Sequence, residues 1–117
     1  MKRIYSAGLN SLRGLRHGVL REAALREEAA VLLAAVLLGF FIAPSWTWYI
    51  AMLGAWLAVL AVELLNTAIE RLADHTSPQH HPDIGVVKDY GSAAVFCMLC
   101  LAGLIWCTAI AQRAGLL

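Results

Sequence analysis

The sequence predicts an all-α membrane protein: an N-terminal amphipathic helix lying at the membrane surface, then three transmembrane helices, in one domain over residues 1–117. Three observations lead to that class. Hydrophobic residues make up 61% of the chain and the mean hydropathy is +0.70, more apolar surface than a soluble domain of this size can hide. The apolar residues come in long blocks rather than at scattered positions. The net charge is only +1, so no global field argues for nucleic acid, yet the charges are placed unevenly along the chain.

Residues 1–28 are polar and basic, with Lys2, Arg3, Arg13, Arg16, Arg21 and Arg26. They lack the apolar stretch and small-residue cleavage site of a secretory signal. Ile4, Leu12, Leu15 and Val19 fall on one helical stripe, so the segment reads as a helix lying in the interface with its arginines toward lipid phosphates. Residues 29–45 form the first span. It is short against the roughly 20 residues that a bilayer needs, so it must borrow from its flanks. Pro44 and Ser45 mark a turn, and Trp46, Trp48 and Tyr49 suit a membrane–water boundary. Residues 46–74 form the second span, apolar to Val62 and then polar but still rich in helix formers, so it projects past the membrane. A polar loop with Pro78, Pro82 and Gly85 occupies 75–87, and the third span covers 88–112. Lys and Arg concentrate in the N-terminal segment and around the second loop, which places both in the cytoplasm.

Charged groups at membrane depth are costly and default to a functional reading. Glu63 lies near the cytoplasmic end of span two, and Asn66, Glu70 and Asp74 follow on the same helix face at about 100° per residue. Four oxygen-bearing side chains beginning at the hydrocarbon boundary suit a hard cation and its phosphates. The same spacing also suits a polar face satisfied by headgroups and water. Lys88 and Asp89 open span three, where a lysine can hold a phosphate as a point charge and an aspartate can answer the helix dipole. Glu22, Glu27 and Glu28 lie where the first segment meets span one, beside Arg21 and Arg26. His75, His80 and His81 fit no common zinc spacing, and Cys97, Cys100 and Cys107 read as small apolar filler in span three. No glycine-rich phosphate loop of a common nucleotide fold is present.

The run Glu63-Leu64-Leu65-Asn66-Thr67-Ala68-Ile69-Glu70, followed by Lys88-Asp89-Tyr90-Gly91-Ser92-Ala93-Ala94-Val95, closely resembles the prokaryotic diacylglycerol kinase family, which also contains the undecaprenol kinases. Gly14-Leu15-Arg16, the run from Glu22 to Glu28 and Trp106-Cys107 resemble its diacylglycerol kinase branch, and the likeness covers nearly the whole chain. His80-His81-Pro82 and Leu65-Asn66-Thr67 look more like the undecaprenol branch. The resemblance implies a bacterial inner-membrane homotrimer with sites shared between subunits, using ATP and Mg2+ to phosphorylate a lipid hydroxyl. It implies that Glu63 is the general base and that Glu22 and Glu70 hold magnesium on the ATP phosphates. Asn66, Asp74, His81, Lys88 and Asp89 then lie on the nucleotide side. Arg3, Ala7, Ser11, Arg16, Glu28, Ser92 and Trp106, together with Glu63, line the lipid side. At Ser6, Asn10 and Leu12 the chain departs from the family's lysine, tyrosine and tryptophan, and no role carries over there.

The expected activity is therefore direct in-line transfer from ATP to diacylglycerol, giving phosphatidic acid. Undecaprenol is the alternative substrate. A non-catalytic three-span subunit or small transporter, with Glu63 as a proton site, is the reading from a different class, and it leaves Glu70, Asp74 and the Lys88-Asp89 pair without a task.

Overall fold

A computed structural model describes all 117 residues as four α-helices: α1 (Lys2–Arg21), α2 (Ala23–Ile42), α3 (Trp46–Thr76) and α4 (Pro82–Arg113). There is no strand. The chain turns between α1 and α2 at one residue, Glu22, whose backbone is extended at φ −114°, ψ 119°. Two contacts make so short a corner possible. Gly18 has no side chain, and Leu25 fills the space, with its Cδ1 2.6 Å from where a β-carbon on residue 18 would stand. Arg26 reaches back from α2 to the otherwise unpaired carbonyls of Val19 and Leu20, 3.4 Å from each.

This corner corrects the expected boundary of the surface helix. The helix ends at Arg21 and not at residue 28, and Arg26, Glu27 and Glu28 belong to the first turns of α2. Glu, Ala, Leu and Arg all favour helix, so composition does not mark the break. The loop between α3 and α4 is also shorter than 75–87: it spans residues 77–81, and α4 begins six residues before Lys88. The imidazole Nδ1 of His81 accepts from the Asp83 N–H at 3.1 Å, and Pro82 supplies a φ already suited to the first helical position. The turn after α2 lies where Pro44 and Ser45 predict it. The Ser45 hydroxyl accepts from the Trp48 N–H at 3.3 Å and starts α3.

α3 and α4 pack side by side around Ala55, Val59 and Ala102, with Trp56, Met98 and Ile105 against them. Alanine at the contact lets the two backbones approach closely. α2 lies along α3 and is held there at two polar points, and a third polar contact ties α4 to α3. The Tyr49 hydroxyl donates to the Val36 carbonyl at 2.7 Å. The Trp56 indole donates to the Glu28 carbonyl at 3.0 Å, and the Trp106 indole ties α4 to α3 through the Met52 carbonyl at 3.1 Å. Phe40, Trp46 and Tyr49 stack edge to face at the α2–α3 turn.

Only 13 of 117 residues are buried, and Leu37, Phe41, Leu57, Phe96 and Leu104 are among many large apolar side chains left exposed. Such a surface is not stable against water and needs lipid or other subunits over it. α3 and α4 are each long and apolar enough to cross a membrane. α2 has 20 residues, about 30 Å at 1.5 Å per residue, but its first turns carry Arg26, Glu27 and Glu28.

Candidate functional site

The polar end of α3 organises the site. Asn66 is 7% exposed and packs against Gly91 of α4, while Glu63 is half-buried and Glu70 and Asp74 are exposed. The Asn66 amide donates to Glu70 Oε1 at 3.4 Å, bridging one helical turn. One further turn along, the Lys88 ammonium of α4 donates to Asp74 Oδ1 at 2.5 Å. The stripe expected from sequence is therefore real, and its Asn66 and Asp74 members face α4.

Glu28 meets Glu63 from α2. Glu28 lies in the electrostatic field of Glu63, and Glu63 in that of Glu70. Glu28 Oε2 is shut off from solvent and has no hydrogen-bond partner, although the Trp56 indole holds the backbone carbonyl of the same residue. An acceptor buried without a donor, next to a like charge, is unfavourable until a donor arrives. An apolar groove of about 290 Å³ begins at Trp56 and continues past Ala35, Leu38 and Leu99 to Trp106. A polar group with an apolar tail fits this arrangement, the hydroxyl toward the carboxylates and the chain along the groove.

Glu22 has different surroundings. Its Oε1 accepts from Arg71 Nε at 2.9 Å, one residue past Glu70. Both line an open cleft of about 500 Å³ between α1 and α3, together with Ser11, His17 and Thr67. Arg71 and His17 are the polar groups that sequence reasoning missed. In the sequence Arg71 is one of the basic residues near the second loop, and nothing in the local pattern pairs it with a residue 49 positions away. A separate polar hollow of about 230 Å³ is lined by Asp74, His80, His81 and Lys88.

The remaining expected residues are more scattered. Arg3, Ala7 and Arg16 are exposed along α1, and the Ser11 hydroxyl donates to the Ala7 carbonyl at 2.9 Å. Asp89 and Ser92 are exposed on α4. Trp106 lies on the same helix, 14 residues past Ser92 and so about 21 Å along its axis, in the groove and not beside the carboxylates. One chain thus brings together Glu28, Glu63, Asn66 and Glu70 as one group, Asp74, His81 and Lys88 as a second, and Ser11 and Glu22 as a third. No three acidic, histidine or cysteine side chains converge on a cation position.

The family model for prokaryotic diacylglycerol kinase matches residues 9–110 of this chain. A diacylglycerol kinase from Haemophilus influenzae is 38% identical over 96 residues, covering 82% of this chain and 81% of its own. One from Escherichia coli K12 is 33% identical over 113 residues, covering 97% and 93%. One from Pseudomonas aeruginosa is 35% identical over 108 residues, covering 92% and 88%.

Proposed function

From the premise that this chain belongs to the prokaryotic diacylglycerol kinase family and is a lipid kinase, we propose that it transfers the γ-phosphoryl group of ATP to the free hydroxyl of membrane diacylglycerol, giving phosphatidic acid and ADP. The observation that carries this reading is the half-buried carboxylate pair Glu28 and Glu63, with an unpartnered oxygen on Glu28, joined to the apolar groove through Trp56, whose indole holds the Glu28 carbonyl and lines the groove. A lipid hydroxyl brings one donor to this pair of acceptors. Diacylglycerol is favoured over undecaprenol because the relatives above are named for it.

In the proposed reaction the hydroxyl enters sideways from the bilayer and donates to Glu63. Glu63 takes the proton as the oxygen attacks phosphorus in line with the departing ADP, and no covalent enzyme intermediate forms. Glu28 orients the hydroxyl. Lys88 offsets phosphate charge, with Asp74 and His81 around it and Asp89 beside it on α4. Arg3, Ala7, Ser11, Arg16, Ser92 and Trp106 contact the lipid. Asn66 supports Glu70.

The acidic side chains of one chain do not make a cation site by themselves, and Glu22 is engaged by Arg71. That donor set still suits Mg2+, which takes one or two carboxylates and completes its shell with phosphate oxygens and water. Glu22 and Glu70 are the residues proposed to hold it. Bound there, magnesium would supply charge neutralisation on the transferring phosphoryl group.

The proposed assembly has α1 at the interface and α2, α3 and α4 as three spans of a homotrimer in the bacterial inner membrane, with the N-terminus and the 77–81 loop cytoplasmic. The exposed apolar faces support lipid or subunit contacts, and Arg21, Arg26 and Arg71 support the orientation. The test is a side-by-side assay of purified protein in detergent with diacylglycerol and undecaprenol and labelled ATP. Label in phosphatidic acid is expected. Label in the polyprenol alone would overturn the substrate, and label in neither lipid would overturn the reading.

A further inference from the structure

Asn66 is buried, yet only half of its amide is used. Nδ2 donates to Glu70, while Oδ1 has no partner and is cut off from solvent. The orientation of the amide is fixed by its neighbour, because a flipped amide would turn its oxygen against the Glu70 carboxylate. Oδ1 therefore points at α4, where it occupies the space that a β-carbon on Gly91 would need. The Asn66 Cγ and Cβ lie only 3.2 and 3.9 Å from that same position, so the whole side chain is seated in a notch that exists because residue 91 is glycine. Gly91 is itself buried, in the middle of a helix, where its backbone needs no glycine. An apolar side chain of the same size at position 66 would avoid the unpaired oxygen. What asparagine adds is the bond to Glu70.

We infer that Gly91 is a positioning residue: its missing side chain seats Asn66 in the α3–α4 interface so that the Asn66 amide can hold the Glu70 carboxylate in place. The inference rests on the proposed role of Glu70 in holding magnesium. Glu70 is exposed on a helix surface and makes no other hydrogen bond, so without Asn66 its carboxylate is free to sample other rotamers. Groups that orient a metal-holding side chain usually change metal response or activity about 10- to 100-fold when removed. A residue acting only on packing would alter stability but not the magnesium response.

The test uses the full chain in lipid–detergent micelles. Magnesium binding is titrated calorimetrically in the presence of a non-hydrolysable ATP analogue, where Gly91→Ala is expected to weaken it about tenfold and wild-type affinity would overturn the inference. Initial rates are measured against free magnesium at saturating ATP and diacylglycerol, and against each substrate in turn. Gly91→Ala is expected to raise the magnesium midpoint or lower turnover about tenfold with the KM for lipid unchanged, and Asn66→Ala is expected to do the same. Asn66→Ala vacates the notch, so the double variant Asn66→Ala/Gly91→Ala is expected to match Asn66→Ala alone. Gly54→Ala adds a methyl where nothing lies within 4 Å and serves as the helix control. A wild-type magnesium midpoint and turnover in Gly91→Ala would overturn the inference. So would a double variant well below Asn66→Ala, because the methyl would then act on something else. Should Gly91→Ala fail to assemble, that comparison decides alone. Glu70→Gln separates the two levels: if it keeps the wild-type magnesium response, the role of Glu70 fails and the inference with it, whereas an impaired Glu70→Gln beside a normal Gly91→Ala sinks the inference only.

Discussion

Replacing Glu28 by glutamine tests the Glu28–Glu63 carboxylate pair. In the native chain Glu28 Oε2 is buried without a donor and faces the charge of Glu63. A buried acceptor left unpaired costs about 1–3 kcal/mol. Glutamine removes the like charge and offers an N–H to Glu63, so it recovers a good part of that sum. The cluster is only half-buried and partly screened, which puts the expected gain near the lower end, about 1 kcal/mol. The same new bond occupies the lone pair on Glu63 that the substrate hydroxyl needs in the proposed reaction. Activity should therefore fall while stability rises, with turnover down about tenfold or more, equal to about 1.4 kcal/mol in the barrier. Glu63→Gln, lacking the proposed base, should lose at least about 10²-fold. The assay pairs thermal inactivation in detergent with initial rates of lipid phosphorylation. A Glu28→Gln protein that is no more stable and fully active would refute the argument, because the two carboxylates would then not be engaged with one another or with substrate.

Gly18→Ala places a β-carbon against Leu25 at the α1–α2 corner. It should cost about 1 kcal/mol of overpacking, seen as earlier thermal unfolding, and Leu25→Ala in the same chain should relieve the clash. Lys88→Ala should raise the KM for ATP about tenfold, the loss of one charged hydrogen bond, and leave the KM for lipid alone; steady-state kinetics with each substrate varied decides. Mixing Glu63→Gln chains with Glu22→Gln chains should restore part of the activity if sites are shared between subunits. Mixtures that stay inactive after subunit exchange has been demonstrated would refute shared sites.

Much of the candidate site is legible one helix at a time. The offsets between Glu63, Asn66, Glu70 and Asp74 depend only on helical periodicity, which is a local property, and the Asn66–Glu70 bond is a contact within one helix. The turn at Pro44 and Ser45 is likewise written in local chemistry. Local signals fail where one residue serves two purposes. Pro82 reads as a turn residue and is in fact the first residue of α4, and His81 reads as a loop side chain and is in fact its cap. Glu22 sits in a run of helix formers and breaks the helix because Gly18, Leu25 and Arg26 together stabilise the corner.

The sequence by itself therefore determined the helical class, the apolar lengths of α3 and α4, the face that carries the polar stripe, and, through its motifs, the family. Those properties follow from composition and from neighbours three or four positions apart. The tertiary structure alone decided which stripe residues face which helix. Glu28 and Glu63 come from α2 and α3, Glu22 and Arg71 are 49 positions apart, and Asn66 finds its seat at Gly91 on α4. Each pairing depends on how far each helix is rotated about its own axis and where it crosses its neighbour. These are set by the packing of Ala55, Val59 and Ala102 and by the indole bonds of Trp56 and Trp106, which no local spacing encodes.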